Sequence, residues 1–90
     1  MATRTLLKGD EVSVPTSAGI GVSFSEATVV RLVNTSSNAI VVTVQETAGG
    51  TGVGTFTMLG TTTEYLEKNA AYTVFASAGG VVGAKVGFTG

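Results

Sequence analysis

Between Thr28 and Glu46 the chain carries two runs of branched aliphatic residues, Val29-Val30-Arg31-Leu32-Val33 and Ala39-Ile40-Val41-Val42-Thr43-Val44. The polar stretch Asn34-Thr35-Ser36-Ser37-Asn38 separates them. Side chains branched at Cβ are stiff at χ1 and pack best on a pleated surface, so both runs read as strands. Taken as a hairpin with a five-residue loop, Val33 faces Ala39, Leu32 faces Ile40, Arg31 faces Val41 and Val30 faces Val42. One face then holds Val30, Leu32, Ile40, Val42 and Val44. The other holds Val29, Val33, Ala39 and Val41, broken by Arg31 and Thr43. A sheet with one wet face should alternate apolar with polar, so the second stripe needs cover from another sheet or another chain. The expected interface is therefore Val29, Arg31, Val33, Ala39 and Val41. Arg31 reads two ways: its stem covers the neighbouring valines, or its guanidinium anchors a carboxylate of a partner chain.

The rest of the chain supports the same fold class. Thr, Ser, Gly, Ala and Val supply 59 of the 90 residues, which starves helix and feeds strands and turns. No segment shows a 3.6-residue apolar stripe longer than a turn. Strands are expected at Thr3–Lys8, Glu11–Val14, Gly21–Phe24, Thr28–Asn34, Ala39–Glu46, Thr55–Leu59, Thr63–Lys68, Tyr72–Ala76 and Val81–Thr89. A second hairpin through Gly60-Thr61-Thr62 sets Phe56 opposite Leu66. A third, through Ser77-Ala78-Gly79-Gly80, sets Phe75 opposite Val82 and Tyr72 opposite Lys85 in a cation–π pair. Pro15 belongs at a turn or sheet edge, because it cannot donate to a ladder. The expectation is a single small all-β domain over residues 1–90: an antiparallel β-sandwich of jelly-roll or immunoglobulin-like type, with residues 1–10 as a short N-terminal arm or edge strand.

Several functions are disfavoured by what the chain lacks. It has no histidine and no cysteine, hence none of the usual zinc or iron–sulfur ligands, no histidine-based triad and no thiol nucleophile. The run Gly49-Gly50-Thr51-Gly52-Val53-Gly54 is no phosphate loop: it lacks the third glycine of one pattern and the Gly-Lys-Ser/Thr of the other, and a strand follows it. Glu64 and Glu67 are three apart, so on a strand they point to opposite faces and do not converge. The expectation is no enzyme, no catalytic residues, no cofactor, no metal and no small-molecule substrate. The five basic residues are scattered and the formal net charge is -1, which gives no footprint for nucleic acid. The start lacks a signal-peptide core and no apolar run is long enough to span a bilayer, so a soluble protein away from membranes is expected.

The segments Thr28-Val29-Val30-Arg31-Leu32-Val33-Asn34-Thr35-Ser36, Phe56-Thr57-Met58, Glu64-Tyr65-Leu66-Glu67-Lys68 and Lys85-Val86-Gly87-Phe88-Thr89-Gly90 resemble a family of small virion proteins of marine cyanophages and related tailed phages. The resemblance implies a bacteriophage capsid decoration or cement protein. Such a protein is a β-sandwich on the outside of the head, in the virion, made in the host cytoplasm, and commonly a homo-oligomer such as a trimer. Its partner would be the major capsid protein, whose contacts it stabilises. A small fibre, knob or tail-associated virion protein is the alternative, and a carbohydrate-binding β-sandwich module a more distant one. No residue roles carry over, because the shared segments are strand patterns.

Overall fold

The computed structural model describes residues 4–89, and Thr3, where the first strand was expected to begin, lies outside them. Eight strands form among the described residues: β1 (Arg4–Leu7), β2 (Val12–Ser13), β3 (Val29–Asn34), β4 (Ile40–Gln45), β5 (Gly52–Met58), β6 (Thr63–Glu67), β7 (Thr73–Ala76) and β8 (Val81–Thr89). The only helical element among the described residues is a 3₁₀ turn at Ala18–Ile20. Where Gly21–Phe24 was expected as a strand, a single bridge joins Val22 to Val74.

The strands make two antiparallel sheets. The larger has the order β1-β8-β3-β6, with β2 also on β8, and the smaller has the order β5-β4-β7. Lys8 N–H donates to the carbonyl of Lys85 and Val14 N–H to that of Val81. Carbonyls of equal parity point to one edge of a strand, so β1 and β2 share the edge of β8 turned away from β3.

All three expected hairpins are corrected by this topology. β3 pairs with β6 and β8 and not with β4; β5 pairs with β4 and not with β6; β7 pairs with β4 and not with β8. Each turn instead carries the chain from one sheet to the other. The physical reason is distance: five residues of near-extended chain reach farther than the ~10 Å between packed sheets, so a short polar connection serves an arch as well as a hairpin. The apolar alternation survives the change. Val30 and Leu32 of β3 and Ile40, Val42 and Val44 of β4 are buried in one core, but from opposed sheets.

The three arches lie together at one end and lock one another. Asn34, completely buried, donates from Nδ2 to the carbonyls of Asn38, Met58 and Leu59 at 2.8, 3.1 and 3.2 Å. Its Oδ1 accepts from Ser36 N–H and Ser36 Oγ. Thr35 donates twice to the carbonyl of Gly80, and Thr61 N–H donates to that of Ser36. Gly60 passes so close to Ser37 that an added Cβ would lie 2.5 Å from its backbone, so no larger residue fits there.

At the opposite end, Phe24, Ser25 and Glu26 form a left-handed turn with φ of 56°, 56° and 58°. That conformation costs roughly 1–2 kcal/mol per non-glycine residue. It is offset by what the turn places: the Phe24 ring is buried over Gly83, where an added Cβ would lie 2.7 Å from Cε1. Two ammonium groups tie down its carbonyls, Lys85 Nζ at Ser25 O (3.1 Å) and Lys68 Nζ at Ala27 O (2.7 Å). The expected Tyr72–Lys85 pair does not form: Tyr72 precedes β7 of the small sheet, Lys85 lies on β8 of the large one, and Lys85 is engaged at Ser25.

The two long sides of the sandwich differ. On one, the chain leaves β8 at Val14 and crosses to β7, where the Pro15 carbonyl accepts from Ala76 N–H and Val22 exchanges two backbone bonds with Val74. This segment closes the gap between the sheets, and Pro15 sits where its missing N–H breaks no ladder. On the other side nothing among the described residues bridges the end strands β5 and β6.

Candidate functional site

The expected interface residues do not form one surface. In β3 and β4 the even-numbered residues point into the core, so odd-numbered ones point out. Val29, Arg31 and Val33 lie on the outer face of the large sheet and are half-buried. Val41 lies on the outer face of the small sheet and is exposed, and Ala39 is exposed just before it. Two faces of a sandwich that point away from each other cannot meet one flat partner.

The outer face of the large sheet is covered partly from within. Arg31 stands beside Tyr65 on β6 and Ala84 on β8, and its guanidinium lies 3.9 Å from the Glu11 carboxylate. That pair is exposed and contributes little, about 0–1 kcal/mol. Tyr65 reaches toward the far side of the sheet, its hydroxyl 3.5 Å from Thr5 Oγ1 on β1. In a flat sheet β1 and β6 would be about 14 Å apart, so the contact requires a strongly coiled sheet. Hydrogen bonding from Thr5, and then from Arg31, holds the Tyr65 phenol below its ordinary pKa. Ala84 and Val86 are buried on this face.

The open side between β5 and β6 has the shape of a site. A cleft of about 270 Å³ is lined by Val44, Gly54, Phe56, Leu66, Lys68 and Tyr72 among others. A second, of about 380 Å³, continues it past Phe56, Glu64 and Leu66. Registers explain the lining. Phe56 pairs with Val42 and Gly54 with Val44, so both face inward from β5. Leu66 pairs with Val30 and Glu64 with Leu32, so both face inward from β6. At Gly54 an inward side chain is missing, and a Cβ built there meets nothing within 4 Å. Phe56 and Leu66, expected as hairpin neighbours, thus line one cleft from opposite sheets.

Lys68 closes the lower end of this cleft. It is 7% exposed, and its ammonium donates to the carbonyls of Ala27, Asn69 and Ala70 at 2.7, 3.4 and 3.3 Å. Burial pushes its pKa down, opposed by the nearby Glu26 carboxylate. Its three N–H bonds are all directed at the backbone, so it braces loops and offers no donor to an anion in the cleft. Glu64 and Glu67 are exposed along β6 and form no ion pair among the described residues. The cleft therefore joins an apolar floor to an acidic rim, flanked by two strand edges without partner strands. That arrangement recognises an extended chain by backbone bonding and an apolar anchor. Among the described residues no group of three or more His, Cys, Asp or Glu is placed to hold a metal ion.

No family model, curated protein or solved structure matches the chain. The structure establishes an all-β domain of two antiparallel sheets.

The sequence reading missed Gly54, Glu64 and Tyr72 as site residues. One signal for Gly54 was present: a glycine alternating with Phe56 and Met58 at a position where a core-facing side chain is due. Only the pairing of β5 with β4 shows that this position faces the core.

Proposed function

We propose that this chain is a structural protein acting through contacts with other protein chains, in the form the resemblance implies: a capsid decoration or cement protein of a tailed phage. On this reading it sits on the outer surface of the head as a homo-oligomer and holds neighbouring major capsid proteins together. The observation that supports it is the asymmetry of the sandwich, one long side sealed by residues 12–22 and the other left as two strand edges over an apolar cleft. Soluble proteins normally protect such edges, so an edge kept open is suited to pairing with another chain. Exposed Leu7, Ile20, Val53 and Leu59 add apolar contact area around the molecule. A cement protein stabilises the shell by mass action, binding only the assembled state.

The test is to strip the protein from purified particles and remeasure capsid heat stability. A lower melting temperature, restored on adding the protein back, is the expected result; unchanged stability overturns the cement role. Copy number per particle separates this from a fibre, knob or tail component: on the order of hundreds for a head surface, about a dozen for a tail fitting.

A further inference from the structure

The large sheet ends in two strands of opposite character. At one end β1 runs Arg4-Thr5-Leu6-Leu7 and is followed by Lys8, with Leu6 48% and Leu7 70% exposed. At the other end β6 runs Thr63-Glu64-Tyr65-Leu66-Glu67 beside the open cleft. Neither end has a further partner strand among the described residues.

We propose that copies of this chain associate head to tail, β1 of one adding antiparallel to β6 of the next, with Leu6 over Leu66 and Lys8 opposite Glu64. Direction agrees. β1 and β3 both run antiparallel to β8, and β6 runs antiparallel to β3, so β1 added to β6 continues an unbroken antiparallel order. Facing agrees as well. Leu6 pairs with Gly87, and the Lys8 stem lies against Gly87, on the face of β8 that Val81 and Gly83 turn to the core. Glu64 and Leu66 occupy the matching inward face of β6, so Leu6 of the incoming strand lies toward the cleft left open by Gly54.

Charge selects this contact over its symmetric rivals. β6 against β6 of a second copy sets acid beside acid, at Glu64 or at Glu67 according to register, and β1 against β1 offers only the base Lys8. Only the unlike ends set base against acid, which favours register and partner choice. A head-to-tail contact uses two different surfaces, so it propagates until the copies close into a ring. This deepens the homo-oligomer part of the function proposed above and needs no capsid, so its failure leaves the particle test standing.

The chain has no cysteine, which makes disulfide trapping clean. Lys8→Cys and Glu64→Cys change exposed residues only. The expected result is that oxidation of the two variants mixed gives a disulfide dimer, neither variant alone does so, and the double variant gives closed multimers. Sedimentation equilibrium gives the second readout. Lys8→Glu and Glu64→Lys should each weaken self-association about tenfold, and the doubly reversed chain should recover it. Cross-linking of either single variant with itself, no cross-linking in the mixture, or a wild-type monomer at millimolar concentration would overturn the proposal.

Discussion

The side-chain amide of Asn34, at the end of β3, donates to the carbonyl of Met58, at the end of β5, across 3.1 Å. The two residues belong to different sheets, so this bond and its companions at Asn38 and Leu59 join the layers where three arches meet.

Asn34→Ala removes five hydrogen bonds at once, the one to Met58 buried and the other four part-buried. The carbonyls of Asn38 and Leu59 keep donors in Ser36 and Thr62, so the cost is about 0.5–1.5 kcal/mol for a bond lost and about 1–3 kcal/mol where a buried group is orphaned. The expected loss is about 3 kcal/mol in urea unfolding. Asn34→Asp should cost nearly as much, because a carboxylate accepts from Ser36 but cannot donate to the carbonyls. A loss below 1 kcal/mol for both variants would remove Asn34 as the lock.

Gly54→Val tests the cleft. The position faces inward, opens on empty space and lies in a strand, where valine is favoured over glycine. The monomer should gain about 0.5–1 kcal/mol of stability, because a glycine inside a strand loses more conformational freedom on folding than the residue that replaces it. The same side chain occupies the place assigned to Leu6 of a neighbouring copy, so sedimentation should show weaker self-association. Stabilisation without that effect would separate the cleft from assembly.

Ser25→Gly addresses the left-handed turn. Ser25 is exposed at φ 56°, and only its carbonyl is engaged, by Lys85. Glycine relieves roughly 1–2 kcal/mol of strain but adds about 0.5–1 kcal/mol of unfolded-state entropy. A net gain of about 0.5 kcal/mol is expected, read as a higher denaturation midpoint with unchanged slope.

Lys68 gives a pH dependence. Burial holds its folded-state pKa below the ordinary 10.5. Below the folded pKa both states are protonated and the contribution is flat. Between that value and 10.5 the unfolded chain binds more protons, so stability rises with pH through this window. Tyr65, also lowered, acts in the same direction, so the comparison must be with Lys68→Met. The wild type should show the steeper rise toward pH 10.5 in thermal melts, while at neutral pH Lys68→Met should be the less stable for want of the ammonium's bonds to Ala27, Asn69 and Ala70.

Strand positions were largely legible because alternation and turn residues are local signals. Eight of the nine expected strands appear within three residues of their predicted limits, β5 beginning at Gly52 and not Thr55, while Gly21–Phe24 forms only a bridge. Pairing was illegible because it depends on which strands meet across the core. The same polar connection at 34–38 fits a hairpin or an arch, and the choice rests on Asn34 finding acceptors on Met58 and Leu59, residues more than twenty positions away.

By itself the sequence determined the class: β-branched runs cut by glycine, serine and threonine make an all-β domain. It also determined which residues face inward, since Val30, Leu32, Ile40, Val42 and Val44 are buried as their parity requires. The tertiary structure decided which surfaces those strands create. By sending each arch to the opposite sheet it parted Val29, Arg31 and Val33 from Ala39 and Val41, and it brought Phe56 and Leu66 together over a gap that Gly54 leaves unfilled. The reason is that parity is a property of one strand, whereas an edge or a cleft exists only once the neighbours of that strand are chosen.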